Sequence, residues 1–128
     1  MNSFFDEARI LDLPLGEYVI FGSGPMVVRG IREGRDIDII VTHSLFEKLR
    51  DKYSKHIHDE KLELGKIELS AKCLDYSDDE ILTLISTAEL IEGLPFATLD
   101  EVIKFKKRLN REKDRVDIEL IETYRKSI

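Results

Sequence analysis

Apolar and polar positions alternate along this chain with a changing period, and the changes mark out its elements. Phe4, Phe5, Ala8 and Leu11 recur at helical spacing, which predicts an amphipathic helix over residues 3–11, ended by Leu13-Pro14-Leu15-Gly16. Residues 17–21 are apolar enough for a central strand. Met26, Val27, Val28 and Ile31 give a short helix one buried side, and Gly34 breaks it before a second apolar run, 36–41. Thr42 or Ser44 suits the cap of a further helix with Leu45, Phe46 and Leu49 on its inner face. Residues 52–59 read as a charged loop, and two short alternating strands follow, 61–64 and 66–70, with Gly65 as a turn or bulge between them. The apolar positions Ile81, Leu82, Leu84 and Ile85 fit a helix or a strand, 88–91 reads as a strand, and 92–96 reads as a loop.

The last third is helical. Thr98-Leu99-Asp100-Glu101 fits a capping box ahead of the stripe Leu99, Val102, Ile103 and Leu109. A break at 110–112 precedes a second stripe, Val116, Leu120, Ile121 and Tyr124, so two antiparallel helices joined by a tight turn are expected. The strand–helix–strand–helix opening is the α/β pattern. The expectation is one α/β (α+β) domain over 1–128, a mixed sheet with flanking helices and a C-terminal helix pair.

Composition narrows the function classes. Hydrophobic residues make up 42% of the 128, enough for a single core. The formal net charge of −6 argues against a general nucleic-acid surface. A lone cysteine, Cys73, leaves no internal disulfide and suits a reducing cytosol. The N-terminal residues lack the basic-then-apolar order of a signal peptide, and no apolar run approaches membrane-spanning length. The expected setting is therefore cytoplasmic. His56 and His58 alternate, but neither a cysteine nor a third histidine joins them, and they read as surface residues. Asp75, Asp78, Asp79 and Glu80 read as a solvated acidic loop.

The chemistry concentrates in 21–41. Alternate side chains of a strand share a face, so Asp36, Asp38 and Ile40 point one way and Ile37, Ile39 and Val41 the other. The Cα atoms of the two acids would lie ~6.5 Å apart. Carboxylates converging to ~5 Å would repel by roughly 3 kcal/mol at an effective dielectric of about 20. A hard divalent cation such as Mg²⁺ removes that cost. Upstream, Gly22-Ser23-Gly24-Pro25 reads as a strand-to-helix turn. Its free N–H groups and positive dipole end suit a phosphate. On the strand 66–70, Glu68 faces away from Ile67 and Leu69, and is the candidate third carboxylate beside Asp36 and Asp38, with Glu63 as its substitute.

Gly22-Ser23, Arg29-Gly30 and Asp36-Ile37-Asp38 together resemble the signature of the polymerase-β-like nucleotidyltransferases, in particular small members of the lincosamide, aminoglycoside and abortive-infection types. The segment from Leu99 through Asp117 resembles their C-terminal signature, with Lys106, Arg111, Lys113, Asp114 and Asp117 at the matching positions. The resemblance implies that Asp36, Asp38 and Glu68 bind Mg²⁺ (or Mn²⁺). It implies that Gly22, Ser23, Lys106 and Lys113 serve the phosphates of a nucleoside triphosphate, and that Asp114 and Asp117 hold the helix turn through Arg111 or Arg115. The implied activity transfers a nucleoside monophosphate, AMP from ATP, to a hydroxyl of a small-molecule or protein acceptor. Arg35 stands where related proteins carry a small hydroxyl residue, and the helical domain of larger members is missing. These departures motivate the alternative, a catalytically weak binding module of antitoxin type acting through a homodimer or a protein partner.

Overall fold

In chain order, the residues that this computed structural model describes, 2–128, form α1 (Asp6–Leu11, after a 3₁₀ turn at Ser3–Phe5), β1 (Tyr18–Phe21), α2 (Gly24–Val28), β2 (Ile37–Val41), α3 (His43–Lys52), β3 (Ile57–His58), β4 (Lys61–Leu64), β5 (Ile67–Ser70), α4 (Asp78–Ser86), β6 (Glu89–Ile91), β7 (Leu94–Phe96), α5 (Leu99–Leu109) and α6 (Glu112–Lys126). The strands make one mixed sheet in the order β3-β4-β5-β2-β1-β7-β6. β1 runs antiparallel to β2 and parallel to β7, while β2 runs parallel to β5. On one side β3, β4 and β5 pair antiparallel in sequence, and on the other β6 and β7 form an antiparallel hairpin.

The central strands are apolar on both faces because helices cover both. On one face Ile20, Ile37, Ile39, Val41, Ile67 and Leu69 pack with Phe5 of the 3₁₀ turn, Ala8 of α1, and Leu45, Phe46 and Leu49 of α3. On the other, Val19, Phe21 and Ile40 meet Ile81, Leu84 and Ile85 of α4, Leu99 and Val102 of α5, and Ile121 of α6. The alternation expected for 36–41 holds within β2, with Ile37, Ile39 and Val41 on one face and Ile40 on the other.

Three expectations need correction. The helix after β1 stops at Val28 rather than near Gly34, because Gly30 adopts φ +73° and a Schellman closure forms. In that closure Gly30 N–H donates to the Val27 carbonyl and Ile31 N–H to that of Met26. The charged stretch at 52–59 contains the short strand β3 at the sheet edge. The proline-marked loop at 92–96 holds a buried strand, β7, beside the central β1. Pro95 is tolerated there because the ladder to β1 runs only through the Ile20–Phe96 pair and the bond from Ala97 N–H to the Ile20 carbonyl. The ambiguous run at 81–85 is helical, and Ser77 and Glu80 form a capping box at the start of α4.

If β7 is part of the core, Phe96 is one of its anchors: it is fully buried and meets Phe5 edge-on at 5.0 Å. Phe96→Ala is expected to cost about 3–5 kcal/mol in urea denaturation. A loss below about 1 kcal/mol would contradict the placement of β7 within the sheet.

Candidate active site

On one face β2 joins the core at Ile40, and Asp38, two residues earlier, stands just outside it. Opposite Asp38 stand Phe21 on β1 and Glu68 on the parallel neighbour β5. α5 reaches across this face as far as Phe105, whose ring lies 4.7 Å from that of Phe21. The apolar cover thins out there, so Asp38 sits at the rim of the core, half-buried. The next residue of the chain after Phe21 is Gly22, with φ +59°. A Cβ at Gly22 would stand 2.3 Å from Asp38 Oδ2. Only glycine meets both demands, the left-handed backbone and the close passage over the carboxylate.

Two clefts meet at Gly22, Asp38 and Phe105. One, of about 390 Å³, has Phe21 and Ile40 in its floor and Lys61, Glu68 and Lys72 along its wall. The other, of about 480 Å³, is polar and is lined by Ser23, Arg35, Asp36, Arg111 and Lys113 among others. Asp36, Ser23, Lys106 and Lys113 thus share the polar cleft with Asp38, while Glu68 faces Asp38 from the other cleft. Ser23 occupies the N-cap position of α2, but its hydroxyl makes no cap bond, leaving that oxygen beside Gly34 at the cleft.

Burial raises the Asp38 carboxyl above its ordinary range, the charges of Glu68 and Asp36 raise it further, and Lys61 opposes them. Asp36 lies just before β2 and is exposed. The Glu68 carboxylate is paired with Lys61, Nζ to Oε1 3.1 Å. Among the described residues, no group of three or more His, Cys, Asp or Glu side chains is arranged to hold a metal ion. The three candidate carboxylates are therefore two beside the polar cleft and a third held by a lysine. His56 and His58 are exposed. Burial pushes the Cys73 thiol up to about 11, which leaves it un-ionised at neutral pH.

The C-terminal signature folds into a buried ion network. Lys106 is 6% exposed, and its Nζ lies 2.8 Å from Asp117 Oδ2 and 3.7 Å from Asp114 Oδ1. Arg111 pairs with Asp114 as expected, at 2.7 Å, and the pairing holds the Asp114 carboxyl below its ordinary range. Asp117 departs from the expectation: its partners are Lys106 and Arg32, because the α2–β2 loop passes over α6. Arg115 bonds instead to Asn110, the left-handed residue that turns α5 into α6. Lys113 is exposed at the mouth of the polar cleft.

Comparison with protein-family models, with curated proteins and with solved structures finds no match to this chain. Sequence reasoning missed Lys61, Phe105 and Arg32. The signal for Lys61 was present: a hairpin folded at Gly65 with Glu63 opposite Glu68 puts Lys61 diagonally across from Glu68. Phe105 lies outside the apolar stripe predicted for its helix and Arg32 in the loop between α2 and β2, and neither carries a pattern of its own.

Because the Asp38 carboxyl titrates higher in the folded chain than in the unfolded one, the fold favours its protonated form. Stability from this group is full below the ordinary value of 3.8 and declines as pH rises through the raised folded value. Asp38→Asn is therefore expected to melt higher than wild type at pH 7, with the gap closing towards pH 3.5. An equal or lower melting temperature at pH 7 would contradict the unpaired, half-buried placement of Asp38.

Proposed function

We propose that this chain is a minimal nucleotidyltransferase of the polymerase-β-like kind, transferring a nucleoside monophosphate, AMP from ATP, to an acceptor hydroxyl in the cytoplasm. The observation that carries the reading is the Asp38 carboxylate. It is half-buried, pressed against Gly22, opposite Glu68, and joined by Asp36 at the meeting of two clefts. A buried acid among acids costs stability, and such sites recur where a cation or a reaction uses them.

The donor set fits a hard divalent cation. Burial and like charge, with no hydrogen bond among the causes, set the state of Asp38. Mg²⁺ commonly binds through one or two carboxylates, with phosphate oxygens and water completing its shell. Asp36 and Asp38 would hold Mg²⁺ or Mn²⁺. Such a bound ion supplies charge neutralisation and orientation for a triphosphate.

The rest falls to the chain's own groups. Gly22 lets the triphosphate approach the backbone, and Ser23 offers a hydroxyl. Arg35 and Lys113 supply positive charge along the polar cleft. Lys106 serves indirectly, clamping α5 to α6 through Asp117 and Asp114. In the transfer, the acceptor oxygen bonds to the α-phosphorus, and the bond from that phosphorus to the α–β bridging oxygen breaks. Pyrophosphate leaves, and the hydroxyl proton passes to the Glu68 carboxylate as general base. The acceptor enters from the cleft floored by Phe21 and Ile40, on the side where Glu68 stands.

One observation favours the second reading, a binding module of antitoxin type acting through a protein partner or a second copy. Both Lys106 and Glu68 are already paired within the protein. The two readings separate in one assay: α-labelled ATP and Mg²⁺ incubated with the chain and a cell extract fractionated by size. The expected result is label transferred to an acceptor with release of pyrophosphate, reduced at least 100-fold in Asp38→Asn. Absence of transfer with every fraction would leave the binding module.

A further inference from the structure

Three carboxylates stand in one row across three strands. Asp38 on β2 faces Glu68 on β5, and Glu68 faces Glu63 on β4. All three project from the same side of the sheet, because directly opposed residues of neighbouring strands share a face. Adjacent strands are only about 4.8 Å apart, so the row concentrates negative charge. One cation already answers it. Lys61, two residues before Glu63 and on the same face, places Nζ 3.1 Å from Glu68 Oε1.

We infer, on the nucleotidyltransferase reading given above, that the site takes a single divalent ion and that the Lys61 ammonium stands where a second ion would otherwise be held. Two features support this. Glu68 is the acid directly opposite Asp38 on its far side, and its carboxylate is engaged by Lys61. On the near side, Asp36 lines the second cleft, which meets the first at Asp38 and is rich in cationic groups that suit phosphates. One ion on two carboxylates with nucleotide oxygens and water is a complete shell for Mg²⁺. A second ion would need Glu68, and to reach it would have to displace an ammonium already in contact. Lys61 is thus a positioning residue: it fixes Glu68 towards the acceptor cleft and sets the number of metal ions.

Ions can be counted directly. Crystals of wild type and of Lys61→Met, grown with α,β-methylene-ATP and Mn²⁺, are to be compared in anomalous difference maps. Electron paramagnetic resonance of free Mn²⁺ gives the bound number in solution. The expected result is one Mn²⁺ per chain at Asp36 and Asp38 in wild type, with Lys61 still on Glu68. Lys61→Met is expected to hold two, the second on Glu68, and Lys61→Arg, which keeps the charge, to return to one. Two ions in wild type, or one ion in Lys61→Met, would overturn the assignment while leaving the metal-binding reading intact. No ion at Asp36 and Asp38 in any variant would overturn both.

Discussion

A carboxylate pressed against a glycine backbone is the constraint on which the site depends. A Gly22 side chain would overlap the Asp38 carboxylate, so the residue after β1 has to be glycine where β2 begins. The contact joins two consecutive strands at the point where both leave the core. It also brings the turn into α2, the acid of β2 and the acid of β5 to one place. The cost is an acid driven towards its neutral form by burial and by Glu68 and Asp36. Functional sites commonly keep such locally unfavourable groups where the surrounding fold is stable enough to hold them.

That surrounding fold is built by packing on both faces of the sheet. Parallel pairing of β2 with β5 sets Asp38 opposite Glu68; a one-residue slip would send one of them to the opposite, fully apolar face. Phe105 of α5 closes the core against Phe21 and ends the apolar cover beside Asp38. The helix pair is held by Lys106, Asp114, Asp117 and Arg111, with Arg32 joining the loop that leads to Asp36. Breaking one partner of such a buried network strands a charge, so these residues matter to the site through geometry. Among the described residues, no helix is long and apolar enough to cross a membrane.

Much of this was legible in the sequence. The period of two in 36–41 and 66–70 identified both acid-bearing strands and the faces of Asp38 and Glu68, because a half-buried strand writes its alternation directly. Thr98 was legible as a cap, and its hydroxyl accepts the Glu101 N–H. The Ser77-x-x-Glu80 box was equally readable, yet the acidic stretch obscured it. β7 was not legible, since Pro95 and Gly93 carry loop signals and only its parallel neighbour makes it a strand. The partners of Lys106 and Asp117 were also out of reach of pattern alone. They depend on which of several nearby opposite charges the tertiary fold brings together, and spacing along one helix or strand does not encode that.

The most direct measurement is isothermal titration of α,β-methylene-ATP into wild type and Asp38→Asn, each with and without Mg²⁺. The account predicts binding to wild type only with Mg²⁺. It predicts no binding to Asp38→Asn, whose circular dichroism should match wild type. Equal binding by the two proteins, or none by wild type at millimolar nucleotide, would contradict it.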